Sequence, residues 1–395
     1  MRVVIDPSLT HPWISLWISQ KHTNPFVSRA EAAMIAIEKA DKNQVLVVGA
    51  GPTGLTAAIE LARRNIGVTI VDRRASGSSL SRAVGITPAS LELLKQSGVT
   101  ERLVAEGHSM RAVQIFLGET PRLHLPLTGL DPEFDFVLAL PQDRTEAIMR
   151  DRLAELGITV AFGVEMTGLE RIDGGVSATF DDGRQETFAT VLGADGIHSV
   201  TRKSTKIPYE GIDVPGIWSI ADVEADNGPF AHIFTVCLIG GGGVVVIAPL
   251  AVGRYRLVSN TEDALKTMPL DIGVTRIRRQ GTFTISVRQA RVYCRGAIYL
   301  AGDAAHCHSP VGGRGMNLGI ADAAEFAHRL ANRTLDGYSG ARHAEGRNTI
   351  ALSERGRKLV TMSGRGGDLL RTAALLAVDR IPTLKRKVAN TVLHG

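Results

Sequence analysis

The clearest hydrophobic pattern in the chain is a short apolar run, a helical stretch and a second apolar run. The segment Val45–Val48 contains only β-branched or other apolar residues, as in a parallel strand that is buried on both faces. Between Leu55 and Ala62 apolar residues recur at helical spacing, and Val68–Val71 is again strand-like. The pattern predicts two parallel strands joined by a helix.

After this unit the pattern predicts further helices and an antiparallel region. Thr87 and Pro88 are typical of an N-cap and a first helical position. Asp143 and Glu146 have the spacing of a capping box at the start of another helix. Between residues 159 and 192, Asp-Gly turns separate short strands, which predicts an antiparallel meander.

The second half of the chain divides into a strand-rich part and a helical part. Residues 204–291 carry strand patterns with little helical periodicity, which predicts a separate sheet. Ala297–Leu300 is another buried strand, and helical patterns follow from Met316 to about Ala331 and again after Tyr338. We therefore expect an α/β domain that is interrupted by a sheet domain and followed by helices.

Composition and charge are those of an ordinary globular protein. The 395 residues are 44% hydrophobic and 22% charged, enough for two or three domains with a sizeable core. The net charge of +5 is spread along the chain without a basic stripe among aromatic residues, which disfavours nucleic-acid binding. The three cysteines form no CxxC pair, as expected in a reducing cytoplasm. No apolar run approaches the ~20 residues that a membrane span needs.

Three glycines follow the first strand at the spacing of a dinucleotide site. Gly49 allows a tight turn, Gly51 lets the backbone approach a pyrophosphate, and Gly54 lets helix and strand pack closely. The helix N-terminus offers free N–H groups to the phosphates. The second strand ends on Asp72, near the ~20-residue distance expected for an acidic residue that binds a ribose hydroxyl. Because the glycines stand between two predicted strands, we interpret them as a dinucleotide site.

Two further motifs follow in a fixed order. One is Asp195-Gly196, and the other opens with Gly302-Asp303. With these motifs the chain, from about Gln44 onward, resembles the single-component flavoprotein aromatic hydroxylases, which include para-hydroxybenzoate hydroxylase and the polyketide-tailoring hydroxylases. The residues that complete the motifs are Ser199, Arg202, His306, Pro310, Gly312, Gly313, Gly315, Met316, Asn317, Gly319 and Asp322, and smaller matches are Arg82 and Gln142.

This resemblance implies an FAD-dependent monooxygenase. NAD(P)H would reduce the flavin, O2 would form a C4a-hydroperoxide on it, and a phenolic or other electron-rich aromatic substrate would be hydroxylated. The implied fold is a Rossmann-like FAD-binding domain with an inserted, mostly antiparallel β-sheet substrate domain and C-terminal helices. The implied cofactor-binding residues are Gly49, Gly51, Pro52, Gly54, Asp72, Arg73, Arg82, Gln142, Asp195, Gly302, Asp303, Pro310, Gly313, Gly315, Met316 and Asn317. No metal is implied, and no catalytic side chain can be named.

On this basis we expect a discontinuous FAD-binding domain of residues 44–108, 141–203 and 294–366. Residues 109–140 and 204–293 are expected to form the substrate domain, and residues 367–395 a C-terminal helical tail. Residues 1–43 are expected to be an N-terminal extension, either an artefact of start-site assignment or a loose arm, with the true start at Met34. We expect a cytoplasmic monomer or homodimer that takes a small aromatic substrate and O2, without nucleic acid or a membrane span.

Some positions depart from the resemblance or allow a simpler interpretation. Asp72 stands where the group usually has Glu, which is one methylene longer. His306, Cys307 and His308 lack the spacing of a metal site. Asp322 is interpreted as a helix-start residue without a cofactor role.

Two alternatives in function stay open. A geranylgeranyl-reductase-like enzyme shares the first and third motifs and saturates double bonds without oxygen, although the Asp-Gly motif favours the hydroxylase. A non-catalytic FAD-binding protein is the alternative from another class. A flavin-dependent halogenase is disfavoured because Trp218 is the only Trp after the glycine motif.

Two questions about side chains also stay open. Arg314 lies between two glycines of the third motif, where its charge is expected to favour an anionic reduced flavin. Strand alternation alone does not say which candidates in the substrate domain face the pocket. These candidates are Tyr209, His232, Arg254, Tyr255 and Arg256.

Overall fold

The computed structural model describes residues 44–77, 83–226 and 230–394 of the chain. The expected N-terminal extension, with the expected start at Met34, lies outside the described residues, and so does Arg82. All described residues belong to one compact unit.

The described residues form twenty strands and ten α-helices. The strands are β1 Val45–Val48, β2 Val68–Asp72, β3 Gly85–Ile86, β4 His108–Met110, β5 Ala112–Leu117, β6 Thr120–Pro126, β7 Val137–Ala139, β8 Ala161–Phe162, β9 Met166–Ile172, β10 Gly175–Phe180, β11 Gln185–Phe188, β12 Thr190–Gly193, β13 Tyr209–Ala225, β14 Ile233–Ile239, β15 Gly243–Ala251, β16 Arg254–Ser259, β17 Val274–Ala290, β18 Cys294–Arg295, β19 Ile298–Leu300 and β20 His306–Cys307. The helices are α1 Pro52–Ala62, α2 Pro88–Lys95, α3 Thr100–Glu106, α4 Gln142–Glu155, α5 Val200–Ser204, α6 Ala264–Thr267, α7 Gly315–Ala331, α8 Tyr338–Val360, α9 Gly364–Arg380 and α10 Pro382–His394.

The predicted strand–helix–strand unit lies at the centre of a six-stranded sheet with the order β18-β19-β12-β1-β2-β8. Neighbouring strands are parallel except for β18 and β19. All four residues of β1 are buried, as expected for a strand covered on both faces. The glycine motif begins at the carboxyl end of β1, the edge at which parallel sheets bind ligands.

Helix α1 packs on this sheet and against α7. Leu55 and Ala58 are fully buried, which confirms the helical pattern predicted for this segment. Pro52 is the first helical residue, a position where its missing N–H costs no helical hydrogen bond. A Cβ on Gly319 of α7 would collide with the hydroxyl of Thr53, so a glycine is needed where the two helices meet.

Strands from three separate parts of the chain form an eight-stranded sheet with the order β20-β17-β13-β16-β15-β14-β5-β6. Its strands are antiparallel except for β14 and β5. One face buries Tyr255 and Leu257 in a cluster with Ala264. The other face packs Val258 in a cluster that includes Val311 of the third motif. This sheet confirms the strand-rich part predicted for residues 204–291.

Two smaller sheets have three strands each. Strands β9, β10 and β11 form the predicted antiparallel meander, and β3, β7 and β4 form the other sheet. The capping-box prediction is wrong, because Pro141 is the N-cap of α4 and both Asp143 and Glu146 lie inside the helix. Proline fixes its own φ, which is −55° here, and the helix starts directly after it.

Helices α7 to α10 form the C-terminal part of the described chain. The longest is α8, with 23 residues. Helix α10 buries Ala389 and Leu393 in a cluster with Leu127. In residues 44–77, 83–226 and 230–394, none of the helices combines the length and the apolar character needed to cross a membrane.

Candidate active site

The glycine turn after β1 has the geometry of a dinucleotide site. Gly49 has a φ of +101°, and a Cβ there would collide with the carbonyl oxygen of Ala194. A Cβ on Gly54 would collide with the carbonyl oxygen of Gly49. A Cβ on Gly51 would meet no atom within 4 Å. Gly49 and Gly54 therefore serve the turn itself, whereas Gly51 leaves room for a ligand.

The carboxylate of Asp72 accepts hydrogen bonds on both oxygens. The amide of Ala50 donates to it at 2.7 Å, and Nη2 and Nε of Arg74 donate at 2.8 and 2.9 Å. Burial alone would raise the pKa of Asp72, but the bonds from Arg74 and Ala50 outweigh burial and lower the pKa. Arg73, the predicted residue, is exposed and lies 3.8 Å from Glu165. The contact of Arg73 with the cofactor stays a prediction.

Gln142 lies at the start of α4 and joins two segments. Its Oε1 accepts a hydrogen bond from the amide of Ala83 at 3.2 Å, and its Nε2 donates to Glu146 at 2.9 Å. Glu146 is fully buried, and Nη1 of Arg74 lies 3.5 Å from it. This bond holds Ala83 beside α4.

The Asp-Gly motif is held by its own short helix. Asp195 accepts hydrogen bonds from the hydroxyl of Ser199 at 2.5 Å and from the amide and hydroxyl of Thr201 at 2.9 and 3.1 Å. Arg202 is buried and donates to the carbonyl of Ala304 at 2.8 Å. That bond joins the second and third motifs across a sequence separation of 102 residues. The contact of Asp195 with a cofactor stays a prediction.

The third motif begins directly against the first. Gly302 has a φ of +57°, and a Cβ there would lie 2.6 Å from the hydroxyl of Thr53 at the start of α1. The carbonyl of Asp303 accepts a hydrogen bond from the hydroxyl of Tyr209 at 2.9 Å. Asp303 is therefore held through its backbone, and the residue itself is exposed.

The interpretation of Asp322 as a helix-start residue is wrong. Asp322 lies in the middle of α7, is fully buried, and accepts a hydrogen bond from Nε2 of His306 at 2.6 Å. The sequence showed only its spacing within the motif and not the contacts that bury it. Within the described residues, no group of three or more His, Cys, Asp or Glu is placed to hold a metal ion.

The glycine loop of the third motif is closed by its own backbone and by Asn317. The amide of Gly313 donates to the carbonyl of Pro310 at 2.9 Å, and a Cβ on Gly313 would meet no atom within 4 Å. Oδ1 of Asn317 accepts from the amide of Thr87 at 3.0 Å, and its Nδ2 donates to the carbonyls of Gly85 and Gly313 at 2.9 and 3.0 Å. Gly315 and Met316 are the first residues of α7 and are half-buried.

Arg314 joins the ends of two helices. It is the N-cap residue of α7, is 8% exposed, and donates through Nη2 to the carbonyl of Thr391 at 2.8 Å. Thr391 lies in the last turn of α10, where carbonyls have no partner within the helix. Burial lowers the pKa of Arg314. The sequence predicted a charge at this loop but not its bond to α10.

The described residues leave space and polar atoms that fit FAD. His308 donates through Nδ1 to the carbonyl of Ser309 at 2.8 Å, and its buried Nε2 has no hydrogen-bond partner among the described residues. That Nε2 would lie 3.9 Å from a Cβ on Gly315 at the start of α7. The open space at Gly51 and at Gly313 and this unpartnered acceptor are compatible with bound FAD.

The buried imidazole of His308 predicts a pH-dependent stability. Burial lowers its pKa to about 4, whereas the ordinary pKa is about 6.5. Between these two pH values the imidazole is protonated in the unfolded state and neutral in the folded state. The protein should therefore lose up to about 3 kcal/mol of unfolding free energy as the pH falls through this window. His308→Gln should flatten the dependence measured by urea unfolding, and exposed His124→Gln should not. An equal loss of unfolding free energy in the wild type and in both variants would contradict this assignment.

The eight-stranded sheet presents a buried ion pair on the face that packs on the third motif. Nε and Nη2 of Arg256 donate to the two carboxylate oxygens of Asp222 at 2.7 and 2.8 Å. Arg256 alternates with Tyr255, which is buried on the opposite face. The contacts place the two residues on opposite faces of the sheet, and which face lines a substrate pocket stays a prediction. Of the other candidates, Tyr209 bonds the carbonyl of Asp303, His232 is exposed and stacks on His108, and Arg254 has a buried Nε without a partner among the described residues.

Comparison with known proteins gives one matching family model. The model described as the FAD binding domain matches residues 42–261 and 257–350. It therefore covers both the glycine motif and the two later motifs.

Individual relatives are monooxygenases by name. An uncharacterized aromatic compound monooxygenase from Bacillus subtilis is 31% identical over 381 residues, which cover 89% of this chain and 75% of the relative. The 6-methylpretetramide 4-monooxygenase of Streptomyces rimosus is 30% identical, covering 90% of this chain and 69% of that protein. The p-nitrophenol 4-monooxygenase structure from Pseudomonas putida matches with a TM-score of 0.81 at 18% identity, covering 89% and 98% of the two chains. That last likeness concerns the fold alone.

Proposed function

The chain belongs to the FAD binding domain family, and from this premise we propose that it hydroxylates a phenolic or other electron-rich aromatic substrate with NAD(P)H and O2. FAD is its cofactor, and the chain is an FAD-dependent oxidoreductase of the monooxygenase type. The observation that carries the proposal is the meeting of the three motifs, since Gly302 lies against Thr53 and Arg202 bonds Ala304.

The residues around this meeting point bind and orient the cofactor. When bound, FAD supplies the redox chemistry, taking electrons from NAD(P)H and activating O2. The N-terminus of α1 offers amides and partial positive charge to the pyrophosphate, and Gly51 leaves space for it. Asp72 is ionised, and it can accept a hydrogen bond from a ribose hydroxyl if Arg74 gives up its bond to one carboxylate oxygen. We propose as further cofactor-binding residues Gly49, Pro52, Gly54, Arg73, Arg82, Gln142, Asp195, Gly302, Asp303, Pro310, Gly313, Gly315, Met316 and Asn317.

The eight-stranded sheet supports the substrate side of the proposal. Its face with Val258 packs on Val311, next to the glycine loop, so the apolar side of the sheet lies beside the loop. Arg256 and Asp222 form an ion pair on the same face, and the side chain of Arg256 is buried. A substrate bound between the sheet and the loop would be oriented by the sheet, which supports a division into a cofactor domain and a substrate domain at the expected boundaries.

Location and assembly are part of the same proposal. Cys237, Cys294 and Cys307 are free, with two of them buried, which supports a reducing compartment such as the cytoplasm. We propose a monomer or homodimer with a small aromatic substrate as its partner.

The decisive experiment records NAD(P)H oxidation and oxygen uptake together across a panel of phenols. We expect slow oxidation without substrate, acceleration by at least one aromatic compound, and a product that gains one oxygen atom. Anaerobic saturation of an isoprenoid double bond, without oxygen uptake for any aromatic compound, would support the reductase alternative. Bound FAD with no turnover in either assay would support the non-catalytic alternative.

A further inference from the structure

One buried carboxylate joins three segments around the third motif. Oδ2 of Asp322 accepts hydrogen bonds from the amide of Gly302 at 2.9 Å and from Nε2 of His306 at 2.6 Å. Its Oδ1 accepts from Nε of Arg342 at 2.6 Å. Asp322 lies on α7 and Arg342 on α8, so the carboxylate ties the Gly302 turn to both helices.

Asp322 and Arg342 carry opposite charges and form an ion pair in this cluster. Burial alone would raise the pKa of Asp322, but His306 and Arg342 outweigh burial and lower the pKa, so the carboxylate is ionised. Nδ1 of His306 is buried and has no hydrogen-bond partner among the described residues.

Helix α8 holds the other end of the same segment. Oγ of Ser353 lies 3.0 Å from the carbonyl of Ser309 and 3.1 Å from that of Val311. Ser353 follows Arg342 by three helical turns, a distance of about 16 Å. Arg342 and Ser353 thus fix the start and the end of residues 302–311 to one rigid helix.

We propose that Asp322 is a positioning residue. It holds the Gly302–Asp303 turn, and with it the bound FAD, in a fixed position relative to α8. Because Gly302 also contacts Thr53 of the glycine motif, a displaced turn changes the cofactor site at both motifs. This inference rests on the proposed function, since it presupposes FAD.

Four variants separate positioning from simple stability. Asp322→Asn leaves Arg342 buried without its counter-charge, so both the Tm and the affinity for FAD should fall. Asp322→Asn with Arg342→Met removes both charges, so the Tm should recover. The tie to α8 stays broken in that double variant, so the Kd for FAD should remain at least about tenfold weaker and the visible circular dichroism of the flavin should stay altered. Arg342→Lys keeps the charge but loses the planar donor, so it should show the same flavin effects with a nearly normal Tm.

The control is an ion pair on α9 whose two residues belong to none of the three motifs. Asp368→Asn with Arg371→Met also removes an ion pair with a buried arginine, and it should leave the Kd for FAD and the flavin spectrum unchanged. Recovery of both Tm and flavin affinity in the Asp322 double variant, or wild-type affinity in Arg342→Lys, would overturn the positioning role while the proposed function stands. A wild-type protein that binds no FAD would instead overturn the proposed function.

Discussion

Gly51→Val is expected to give a folded protein that purifies without FAD. A Cβ on Gly51 meets no protein atom within 4 Å, so the substitution creates no clash within the chain. The valine side chain would occupy the open space in front of the N-terminus of α1, where we propose that the pyrophosphate binds. We expect the Kd for FAD to rise at least about a hundredfold while the Tm without FAD stays close to that of the wild type. Visible flavin absorbance and thermal unfolding measure the two quantities.

Two other glycines provide the controls for this prediction. A Cβ on Gly281 of β17 also meets no atom within 4 Å, so Gly281→Val should keep both the fold and the flavin. Gly54→Ala should lose the fold itself, because its Cβ would collide with the carbonyl of Gly49. Wild-type flavin content in Gly51→Val would show that the pyrophosphate does not pass over this glycine.

The parts of the site that the sequence predicted well are those built from neighbouring residues. The turn at Gly49 and the placement of Asp72 at the end of β2 follow from spacing alone. Each depends on a backbone conformation or a helix terminus, and these are local properties of the chain.

The missed features depend on which distant residues meet. Asp322 was interpreted as a helix-start residue, but its partner Arg342 lies 20 residues further along the chain and on another helix. The bond from Arg74 to Asp72 was not predicted, because residue spacing does not show that this side chain turns toward the carboxylate. The faces that carry Tyr255 and Arg256 are distinguished only by packing between segments, such as that of Val258 on Val311. No periodicity in a single segment contains such information.

Arg314 shows how one such distant contact changes the interpretation of a motif residue. Its guanidinium was expected to act on the flavin, and the structure bonds it to the carbonyl of Thr391. The C-terminus of a helix carries about half a negative charge, so the cation stabilises the end of α10 there. The same cation lies at the N-cap position of α7, beside the glycine loop. Arg314 therefore links the position of α10 to the electrostatics of the loop.

Arg314→Glu is expected to slow NAD(P)H-dependent flavin reduction by about tenfold or more, and to weaken FAD binding by less. The carboxylate removes a positive charge that favours electron transfer to the flavin, and it leaves the carbonyl of Thr391 without its donor. A like charge at the end of α10 should also lower the Tm, because the helix end and a buried carboxylate repel each other. Stopped-flow reduction, flavin titration and thermal unfolding measure the three effects.

Two charge variants decide whether these effects come from the position of Arg314. Arg386 is an exposed cation on α10, so Arg386→Glu makes the same change in net charge and should leave flavin reduction unchanged. Arg314→Lys keeps the positive charge at the loop and should retain most of the reduction rate, even if the bond to Thr391 is weaker. Should Arg314→Lys be as slow as Arg314→Glu, the hydrogen bond to α10 rather than the charge would control reduction. A wild-type rate in Arg314→Glu would mean that this cation serves only to hold α10 against the loop.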